Sequence, residues 1–457
     1  MSDQNFDIVI LGGGSGGYAA ALRASELGLS VGLIEKAKVG GTCLHVGCIP
    51  TKALLHSAEV ADVSRESAKY GVTTSFQGID MTAVTAYRQG IVASKYKGLQ
   101  GLIKARGITT IEGEGKLTSP TTVQVGDVTV TGKNVILATG SYSRSLPGLE
   151  IGGRVITSEQ ALELDFVPNK VAVLGGGVIG VEFASVWKSF GADVTIIEAL
   201  PHLVPNEDES VSKQLERAFR KRGINFSVGV RFQGVEQNEN GVVVTLENGQ
   251  TFDADLLLVA VGRGPSTSGV GFEEVGVTMD RGFVITDERL RTNIPGVYAV
   301  GDIVPGLQLA HRGFQQGIFV AEEIAGLNPI IIEDVNIPKV TYCDPEIASV
   351  GLSEAKATEK YGADKVTSYD YNLAGNGKSA IIGTAGSIKV VRVNDGPVVG
   401  VHMIGARVGE LIGEAQLAVN WEAYPEDIAP LIHAHPTQHE ALGEAFLHLA
   451  GRPLHAL

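Results

Sequence analysis

A glycine pattern that occurs twice constrains the fold of this chain more than any other feature. The stretch "FDIVILGGGSGGYAAALRASELGLSVGLIE" contains an apolar run, a glycine cluster, an alanine-rich stretch and a second apolar run that ends in an acid. The same order returns in "KVAVLGGGVIGVEFASVWKSFGADVTIIE", 163 residues later for both the glycines and the acid. The positions concerned are Gly12, Gly14, Gly17 and Glu35 in the first stretch, and Gly175, Gly177, Gly180 and Glu198 in the second.

Each stretch has the order of a strand–helix–strand unit that binds a nucleotide. The first glycine makes a tight turn, the second lets the backbone approach a pyrophosphate, and the third lets the helix pack closely on the strand. The helix amino terminus then faces the phosphates. Glu35 and Glu198 each follow the last glycine by 18 residues, a spacing suited to binding ribose hydroxyls. A single glycine-rich turn needs no ligand, but two at one offset predict two dinucleotide sites.

Three later strands indicate how the two units are connected. "NVILATG" ends at Gly140 and "LLLVAVGR" reaches Gly262, as expected of the closing strands of two related domains. "GVYAVGD" ends at Asp302, whose carboxylate would face the hydroxyls of a cofactor, although an Asp after Gly301 also suits a simple turn. If Asp302 serves the first site, the first domain covers residues 1–146 and 271–335, and the second, residues 147–270, is inserted within it.

Charge and hydropathy argue against several classes of function. The net charge is −14, and the longest basic run is "RKR" at 220–222, so nucleic acid and anionic membranes are not expected partners. No apolar run reaches the roughly 18 residues of a membrane span. The amino terminus begins a strand almost at once and leaves no room for a signal peptide. We expect a cytoplasmic protein.

The cysteine usage points to redox chemistry. The chain has three cysteines, two of which, Cys43 and Cys48, lie in "GGTCLHVGCIPTK". A close pair in a reducing compartment is more often redox-active or metal-binding than structural. A regular helix would hold residues five apart too far from each other to bridge, so a disulfide needs a break, for which the glycines and Pro50 give opportunity. A zinc site would need two more ligands, and only His45 and His56 lie near, so we predict no metal.

Two charged residues bear on the chemistry of these sites. Lys52 follows Cys48 by one helical turn and could stabilise a thiolate or a reduced flavin, although a solvated lysine would have the same spacing. Cys48 itself would lie near a helix amino terminus, which favours its thiolate. Glu198 would repel the 2′-phosphate of NADP, so we predict NAD at the second site.

A histidine-rich segment near the carboxyl end, "HAHPTQHE", contains a candidate acid/base. Pro436 disfavours a helical backbone at His435, which places this histidine in an extended segment before a helix. Glu440 would hold the imidazole in one tautomer and raise its basicity. Thr437 and Glu440 also fit a capping box, so capping alone is an alternative for Glu440. Metal binding by His433, His435 and His439 is a weaker alternative, because a single H-x-H pattern has little specificity.

The chain resembles the pyridine nucleotide-disulphide oxidoreductases over essentially its whole length. The resemblance lies in the glycine motifs, the cysteine segment and the histidine segment described above, and in "ATGS", "AVGR", "IPGVYAVGD", "LAH" and "PEIASVGLSE". The resemblance implies FAD at the first site, NAD at the second and a carboxyl-terminal α+β dimerisation domain from 336 to 457. The fold class is then α/β, with two Rossmann-like domains and this third domain. By motif position, Lys52 would pair with Glu182 beside the flavin, and the FAD site would be lined by Gly115, Gly140, Asp302 and Ala310. Three departures are His45 in place of a common Asn, the less acidic "HRGFQQG", and "GRGPST" without its usual Asn.

The resemblance also implies an activity and partners. A homodimer would place His435 and Glu440 of one chain beside Cys43 and Cys48 of the other. The enzyme would oxidise protein-bound dihydrolipoamide with NAD⁺, and its partners would be the lipoyl domains of 2-oxoacid dehydrogenase or glycine cleavage complexes. A close alternative is an NAD(P)H-dependent reductase of a small disulfide such as glutathione or mycothiol, against which Glu198 argues. A third hypothesis is a flavin-bearing subunit without catalytic turnover. The presence of Cys43, Cys48 and His435 argues against it.

Overall fold

The first glycine motif lies in a seven-stranded sheet of the computed structural model, which describes residues 3–455. Its central strand, Gln4–Leu11, pairs in parallel with Val31–Glu35 on one side and with Val128–Leu137 on the other. The strand Val297–Ala299 pairs in parallel with the carboxyl end of Val128–Leu137, so the chain returns to this sheet near its end. The remaining strands are Thr109–Glu112, Gly115–Ser119 and Thr122–Val125.

The second glycine motif lies in a five-stranded sheet that is parallel throughout. Its order is Asn225–Val228, Asp193–Glu198, Lys170–Leu174, Leu256–Val259 and Val155–Ile156. A three-stranded antiparallel sheet, formed by Phe232–Asn238, Gly241–Leu246 and Thr251–Ala254, adds to this unit. The second unit therefore interrupts the first, as the sequence predicts. The exact limits of the predicted domains stay predictions. Their outer ends, at residues 1 and 457, lie outside the described residues.

A third unit, built on an antiparallel sheet, follows near the carboxyl end. Its five strands are Lys339–Thr341, Glu346–Gly351, Val398–Gly405, Ser387–Val393 and Val366–Asn372. Side chains of the helices Val408–Asn420 and His439–Leu449 share its hydrophobic core. The predicted α+β character of this region is thus present.

Short strands and helices complete the architecture. Ser141–Ser143 pairs with Arg263–Pro265 and joins the first two units, and Met279–Asp280 pairs with Phe283–Val284. The other α-helices of the described chain are Ser15–Glu26, Gly41–His45, Cys48–Glu66, Met81–Ala105, Ser158–Ala161, Val178–Phe190, Glu209–Arg222, Phe272–Val275, Ala310–Ile324, Glu354–Tyr361, Gly377–Ile382 and Pro425–Ile428. Over residues 3–455, no helix combines the length and apolarity that crossing a membrane requires.

The glycine motifs fold as they do because two of their three glycines have no room for a side chain. A Cβ on Gly12 would lie 2.2 Å from the Ala138 carbonyl oxygen, and one on Gly17 would lie 1.8 Å from that of Gly12. Gly175 and Gly180 are confined in the same way, with Cβ contacts of 2.3 and 1.9 Å. The middle glycines, Gly14 and Gly177, instead face open space, with no atom within 4 Å of a Cβ. The pattern therefore leaves room for a ligand at the position where the backbone is expected to approach it.

The helix Cys48–Glu66, hereafter the cysteine helix, is anchored on the second unit. Its residues Leu54 and Ala58 share one hydrophobic cluster with Val181 and Phe183 of the helix Val178–Phe190. Cys343, next to the first strand of the third sheet, belongs to the same cluster. The start of the cysteine helix is consequently held where all three units meet.

Candidate active site

The segment that carries Cys43 and Cys48 is broken between two helices. Gly41–His45 ends before Val46, and the cysteine helix begins at Cys48, so the continuous helix that would separate the two thiols is absent. Both thiols are free in this structure and partly buried. A Cβ on Gly41, where φ is 58°, would lie 2.7 Å from the Gly14 Cα, so the segment packs directly on the open glycine of the first motif.

The two thiols differ in acidity. The hydrogen bond between them lowers the pKa of Cys48 to about 7, and the Lys52 charge also lowers this pKa, while burial opposes both effects. The same hydrogen bond, followed by burial, raises the pKa of Cys43 well above its usual range. In the reduced protein near neutral pH, the negative charge therefore belongs to Cys48.

Lys52, whose side chain is partly buried, forms an ion pair with the buried Glu182 beside Cys48. Lys52 Nζ donates to both carboxylate oxygens of Glu182, at 3.0 and 2.8 Å, and the Glu182 side chain is only 3% exposed. Burial disfavours the Lys52 ammonium, but the attraction of Glu182 outweighs it and raises the pKa of Lys52. Glu182 Oε1 also accepts a hydrogen bond from the Tyr342 backbone N–H at 2.9 Å. One carboxylate thus joins the cysteine helix, the second unit and the third sheet.

A cavity of about 1430 Å³ extends along these residues. Its walls include the sequence-predicted residues Gly14, Cys43, Cys48, Lys52, Gly140, Glu182, Asp302 and Ala310. Gly14, just before the helix Ser15–Glu26, and Gly140 have open space where a Cβ would lie. The cavity exceeds the roughly 300–1000 Å³ of ordinary ligand pockets, and the helix amino terminus suits a pyrophosphate. These residues therefore fit an extended dinucleotide such as FAD.

The second glycine motif reaches the same cavity. Val178 and Ile179, which begin the helix after Gly177, line it together with Phe183 and Arg263. Gly262 has a φ of 106° and open space at its Cβ position, as Gly177 also has at its own. The amino terminus of this helix suits the phosphates of a second dinucleotide. The two nucleotide motifs therefore converge on the cysteine pair.

The acids at the strand ends make contacts that the sequence did not reveal. Glu35 accepts hydrogen bonds from the backbone N–H groups of Gly13, at 2.7 Å, and Ala37, at 2.8 Å. Glu198 repeats the arrangement with Gly176 and Leu200, both at 2.8 Å. Each carboxylate thus fixes its own glycine loop, and ribose binding by Glu35 and Glu198 stays a prediction.

Eleven of the predicted site residues do not line this cavity, namely Gly12, Gly17, Glu35, Gly115, Gly175, Gly177, Gly180, Glu198, Gly262, His435 and Glu440. Gly115 is buried in a strand, and a Cβ there would meet Leu11 at 2.5 Å and Ile34 at 3.0 Å. His435 does not line the cavity either, and its side chain is 79% exposed. A single chain therefore does not place His435 against the cysteines.

The local structure around His435 agrees in part with the sequence prediction. His435 Nδ1 donates to Glu440 Oε1 at 2.7 Å, and the Thr437 N–H donates to Glu440 Oε2 at 2.8 Å. The other half of the predicted capping box is wrong, because the Thr437 hydroxyl donates to the Ala434 carbonyl and the helix begins at His439. Glu440 thus serves both the imidazole and the turn.

Sequence reasoning missed two residues that hold Asp302. The Ser141 hydroxyl donates to Asp302 Oδ2 at 2.5 Å, and Arg263 Nε donates to the Ser141 hydroxyl at 2.8 Å. The motifs "ATGS" and "AVGR" contain these two residues, but their spatial pairing depends on the short sheet formed by Ser141–Ser143 and Arg263–Pro265. Within residues 3–455, no three His, Cys, Asp or Glu side chains are grouped so that they could hold a metal ion.

Two nucleotide-binding units that meet at a thiol pair define a class of protein, the oxidoreductases that exchange electrons between a dithiol and nucleotide cofactors. Residues 6–317 match the family described as "Pyridine nucleotide-disulphide oxidoreductase", and residues 337–446 match its dimerisation domain. The chain belongs to this family. The dimerisation domain indicates that it forms a homodimer.

Similar proteins cover the chain almost completely. Dihydrolipoyl dehydrogenase 1, mitochondrial, of Arabidopsis thaliana is 39% identical over 99% of this chain and 92% of its own length. A dihydrolipoyl dehydrogenase of Bacillus subtilis is 39% identical over 98% of this chain and 99% of its own. The crystal structure of LpdA from Mycobacterium tuberculosis, 26% identical, superposes with a TM-score of 0.90 and covers 98% of this chain and 99% of that one.

Proposed function

We propose that this chain oxidises protein-bound dihydrolipoyl groups to lipoyl disulfides and reduces NAD⁺ to NADH, the activity of a dihydrolipoyl dehydrogenase. The observation that carries the proposal is the convergence of both nucleotide motifs on Cys43 and Cys48 in one cavity. The names of the full-length relatives favour this activity over reduction of a small disulfide.

The sulfur chemistry balances as two successive exchanges. In the oxidised enzyme, Cys43 and Cys48 form a disulfide, and His435 of a second copy of the chain accepts a proton from the substrate dithiol. The substrate thiolate attacks the sulfur of Cys43, and the bond between the cysteines breaks, leaving Cys48 as a thiolate. The second substrate thiol then attacks the substrate sulfur of the mixed disulfide, the bond to Cys43 breaks, and the proton of that thiol passes to the released Cys43. The substrate leaves as a cyclic disulfide, and two electrons remain on the enzyme thiols.

The asymmetry of the two pKa values supports these roles. When Cys43 is attacked, the charge of Lys52 lowers the pKa of Cys48 and makes Cys48 the better leaving group. The charge of Lys52 stabilises the Cys48 thiolate, and Glu182 keeps Lys52 charged despite its burial. The hydrogen bond that the Cys43 thiol donates to the Cys48 thiolate, followed by burial, favours a neutral Cys43 after the substrate departs.

The cofactors are assigned by the residues that would hold them. Gly14 and the helix that follows it would bind the pyrophosphate of FAD, and Asp302 would bind the hydroxyl groups of FAD. Lys52 would place its positive charge beside the flavin ring. Gly177 and the following helix would bind NAD⁺, and the negative charge of Glu198 disfavours the 2′-phosphate of NADP. When bound, FAD supplies the transfer of the electron pair from the dithiol to NAD⁺ as a hydride.

The assembly completes the proposal. In the homodimer, His435 and Glu440 of one chain would face Cys43 and Cys48 of the other, which accounts for their separation from the cysteines within one chain. The macromolecular substrates would be the lipoyl domains of 2-oxoacid dehydrogenase or glycine cleavage complexes, in the cytoplasm.

Steady-state kinetics with dihydrolipoamide test the proposal. We expect oxidation with NAD⁺ to be much faster than with NADP⁺, and the Cys48→Ser variant to lose the activity. Glutathione disulfide with NADH or NADPH is the comparison for a small-disulfide reductase. Faster turnover in that assay, or an unimpaired Cys48→Ser variant, would overturn the assignment, and equal rates with both nucleotides would overturn the role of Glu198.

A further inference from the structure

The segment around His435 is fixed by a carboxylate on a different helix. Glu414 lies on the helix Val408–Asn420. Its Oε1 accepts a hydrogen bond from His433 Nε2 at 2.8 Å, and its Oε2 accepts one from His439 Nδ1 at 2.9 Å. The two imidazoles flank His435 in the chain, and one carboxylate therefore binds the segment on both sides of the proposed acid/base.

We propose that Glu414 is a positioning residue for His435: by binding His433 and His439 together, it holds the segment 433–439 in the conformation that presents His435. This inference rests on the proposed function, in which His435 is the acid/base. The sequence offers His433 and His439 only as weak candidates for metal binding, and the structure gives them a different partner, Glu414.

Packing around His433 supports a fixed position for this arm of the contact. The His433 side chain is 14% exposed and the Glu414 side chain 25%. A Cβ on Gly443 would lie 2.7 Å from His433 Nδ1, so the ring lies directly against the helix His439–Leu449. His433 is therefore enclosed between Glu414 and the helix that carries Glu440.

Neutral hydrogen bonds hold the same segment by its backbone and by Gln438. Asn376 Nδ2 donates to the Thr437 carbonyl at 2.9 Å, and Gln438 Nε2 donates to the Ala406 carbonyl at 2.9 Å. Neither contact touches the stretch from His433 to His435. His433 and Glu414 supply the anchor on that side, and because Glu414 is charged its hydrogen bonds are the stronger ones.

The electrostatics of the contact favour its formation near neutral pH. Burial raises the pKa of Glu414, but His433 and His439 outweigh it, and the net shift is downward. The hydrogen bond to Glu414, with a smaller contribution from Glu440, raises the pKa of His433. Glu414 and Glu440 are the titratable groups that act on His433. The His433–Glu414 attraction is fully present below the unfolded-state pKa of His433 and is lost as the pH rises through its raised value in the folded protein.

Glu414→Gln tests the proposal in the FAD-loaded dimer. The substitution keeps the shape of the side chain and removes the charge and one acceptor. We expect dihydrolipoamide oxidation to fall about ten- to hundredfold through kcat, since small misplacements of a catalytic group have effects of that size. FAD content and NADH-dependent reduction of ferricyanide, which does not need His435, should be unchanged. An equal loss in both assays, or no loss in either, would overturn the proposal.

A matched control removes the same chemistry elsewhere. Glu444 Oε1 accepts a hydrogen bond from His455 Nδ1 at 2.8 Å, on the helix that follows the segment. Glu444→Gln should leave the ratio of the two activities unchanged. A double-mutant cycle between Glu414→Gln and His439→Gln should show non-additive losses, because both changes break one contact. Additive losses would mean that Glu414 does not act through His439.

Nuclear magnetic resonance of ¹⁵N-labelled histidines separates this inference from the proposed function. In the unsubstituted protein, His435 Nδ1 should have the shift of a hydrogen-bonded nitrogen, with His435→Gln used for assignment. Glu414→Gln should alter that shift and lower the pKa of His433, whereas Glu444→Gln should do neither. An unaltered His435 signal in Glu414→Gln would overturn the positioning role even if dihydrolipoamide is not a substrate. If the unsubstituted protein does not oxidise dihydrolipoamide, but Glu414→Gln still produces these spectral changes, the proposed function alone would be overturned.

Discussion

Cys43 and Cys48 belong to one short segment, yet their thiols are in different chemical states. The sequence predicts the pair and a position of Cys48 near a helix amino terminus, because glycines and Pro50 mark the break. It does not reveal the size of the difference, which depends on the mutual hydrogen bond and on Lys52 held by Glu182 from another unit. At the residue scale, the sequence motif therefore predicts which side chains react, whereas neighbours that are distant in sequence set the pKa values of those side chains.

Removing the charge of Lys52 should make Cys48 less acidic. Lys52 lowers the pKa of Cys48, so Lys52→Met should raise the apparent pKa for alkylation of Cys48 above about 7. The measurement is iodoacetamide labelling of the reduced protein across pH, with the modified peptide identified by mass spectrometry. Lys97→Met, at an exposed lysine of the helix Met81–Ala105, is the control and should leave the profile unchanged. A lowered or unchanged pKa in Lys52→Met would contradict the electrostatic role.

At the scale of elements, the glycine motifs show how far spacing predicts structure. The strand–helix–strand order and the confined positions of Gly12 and Gly17 follow from the pattern, because a Cβ there would meet backbone atoms. The hydrogen bonds from Gly13 and Gly176 to Glu35 and Glu198 were not predictable, since ribose binding accounts for the same spacing. The predicted capping box is wrong because the Thr437 hydroxyl donates to the Ala434 carbonyl instead of capping the helix.

The two kinds of glycine in the first motif should respond differently to alanine. In Gly17→Ala the new Cβ would lie 1.8 Å from the Gly12 carbonyl oxygen, so the unfolding temperature should fall sharply. In Gly14→Ala the Cβ would meet no protein atom within 4 Å and would extend into the cavity. That variant should fold normally but lose FAD.

Circular dichroism melting and the flavin absorbance of the purified variants measure these two effects separately. Gly90→Ala, in the helix Met81–Ala105 with open space around it, should raise stability by about 0.5–1 kcal/mol and keep FAD. Normal flavin content in Gly14→Ala would count against the assignment of the first motif to FAD.

At the scale of the whole molecule, the cysteine helix lies where three units meet. The sequence predicts that the second unit interrupts the first, because "GVYAVGD" repeats the form of a closing strand, and Val297–Ala299 joins the first sheet accordingly. The family resemblance implies the contact of Lys52 with Glu182, but nothing in the sequence predicts that Glu182 also contacts the backbone of Tyr342 at this junction. Contacts between residues 130 and 160 positions apart leave no local pattern in a single sequence.

Mixed dimers test whether the proposed site is shared between two chains. His435→Gln alone and Cys48→Ser alone should each be inactive in dihydrolipoamide oxidation. In a dimer with one chain of each kind, one site would combine both defects, and the other would combine intact cysteines with an intact histidine. Random reassortment of equal amounts should therefore restore about a quarter of the unsubstituted activity, since half of the dimers are mixed and each has one intact site. Co-expression with two affinity tags allows the mixed species to be isolated and assayed.

The control for this experiment is a pair of defects that lie in the same segment. Cys43→Ser mixed with Cys48→Ser should give no activity, because each cysteine pair comes from one chain and both pairs remain broken. If His435 instead acts within its own chain, mixing His435→Gln with Cys48→Ser also restores nothing. The exposed position of His435, outside the cavity of its own chain, is the structural reason to expect restoration.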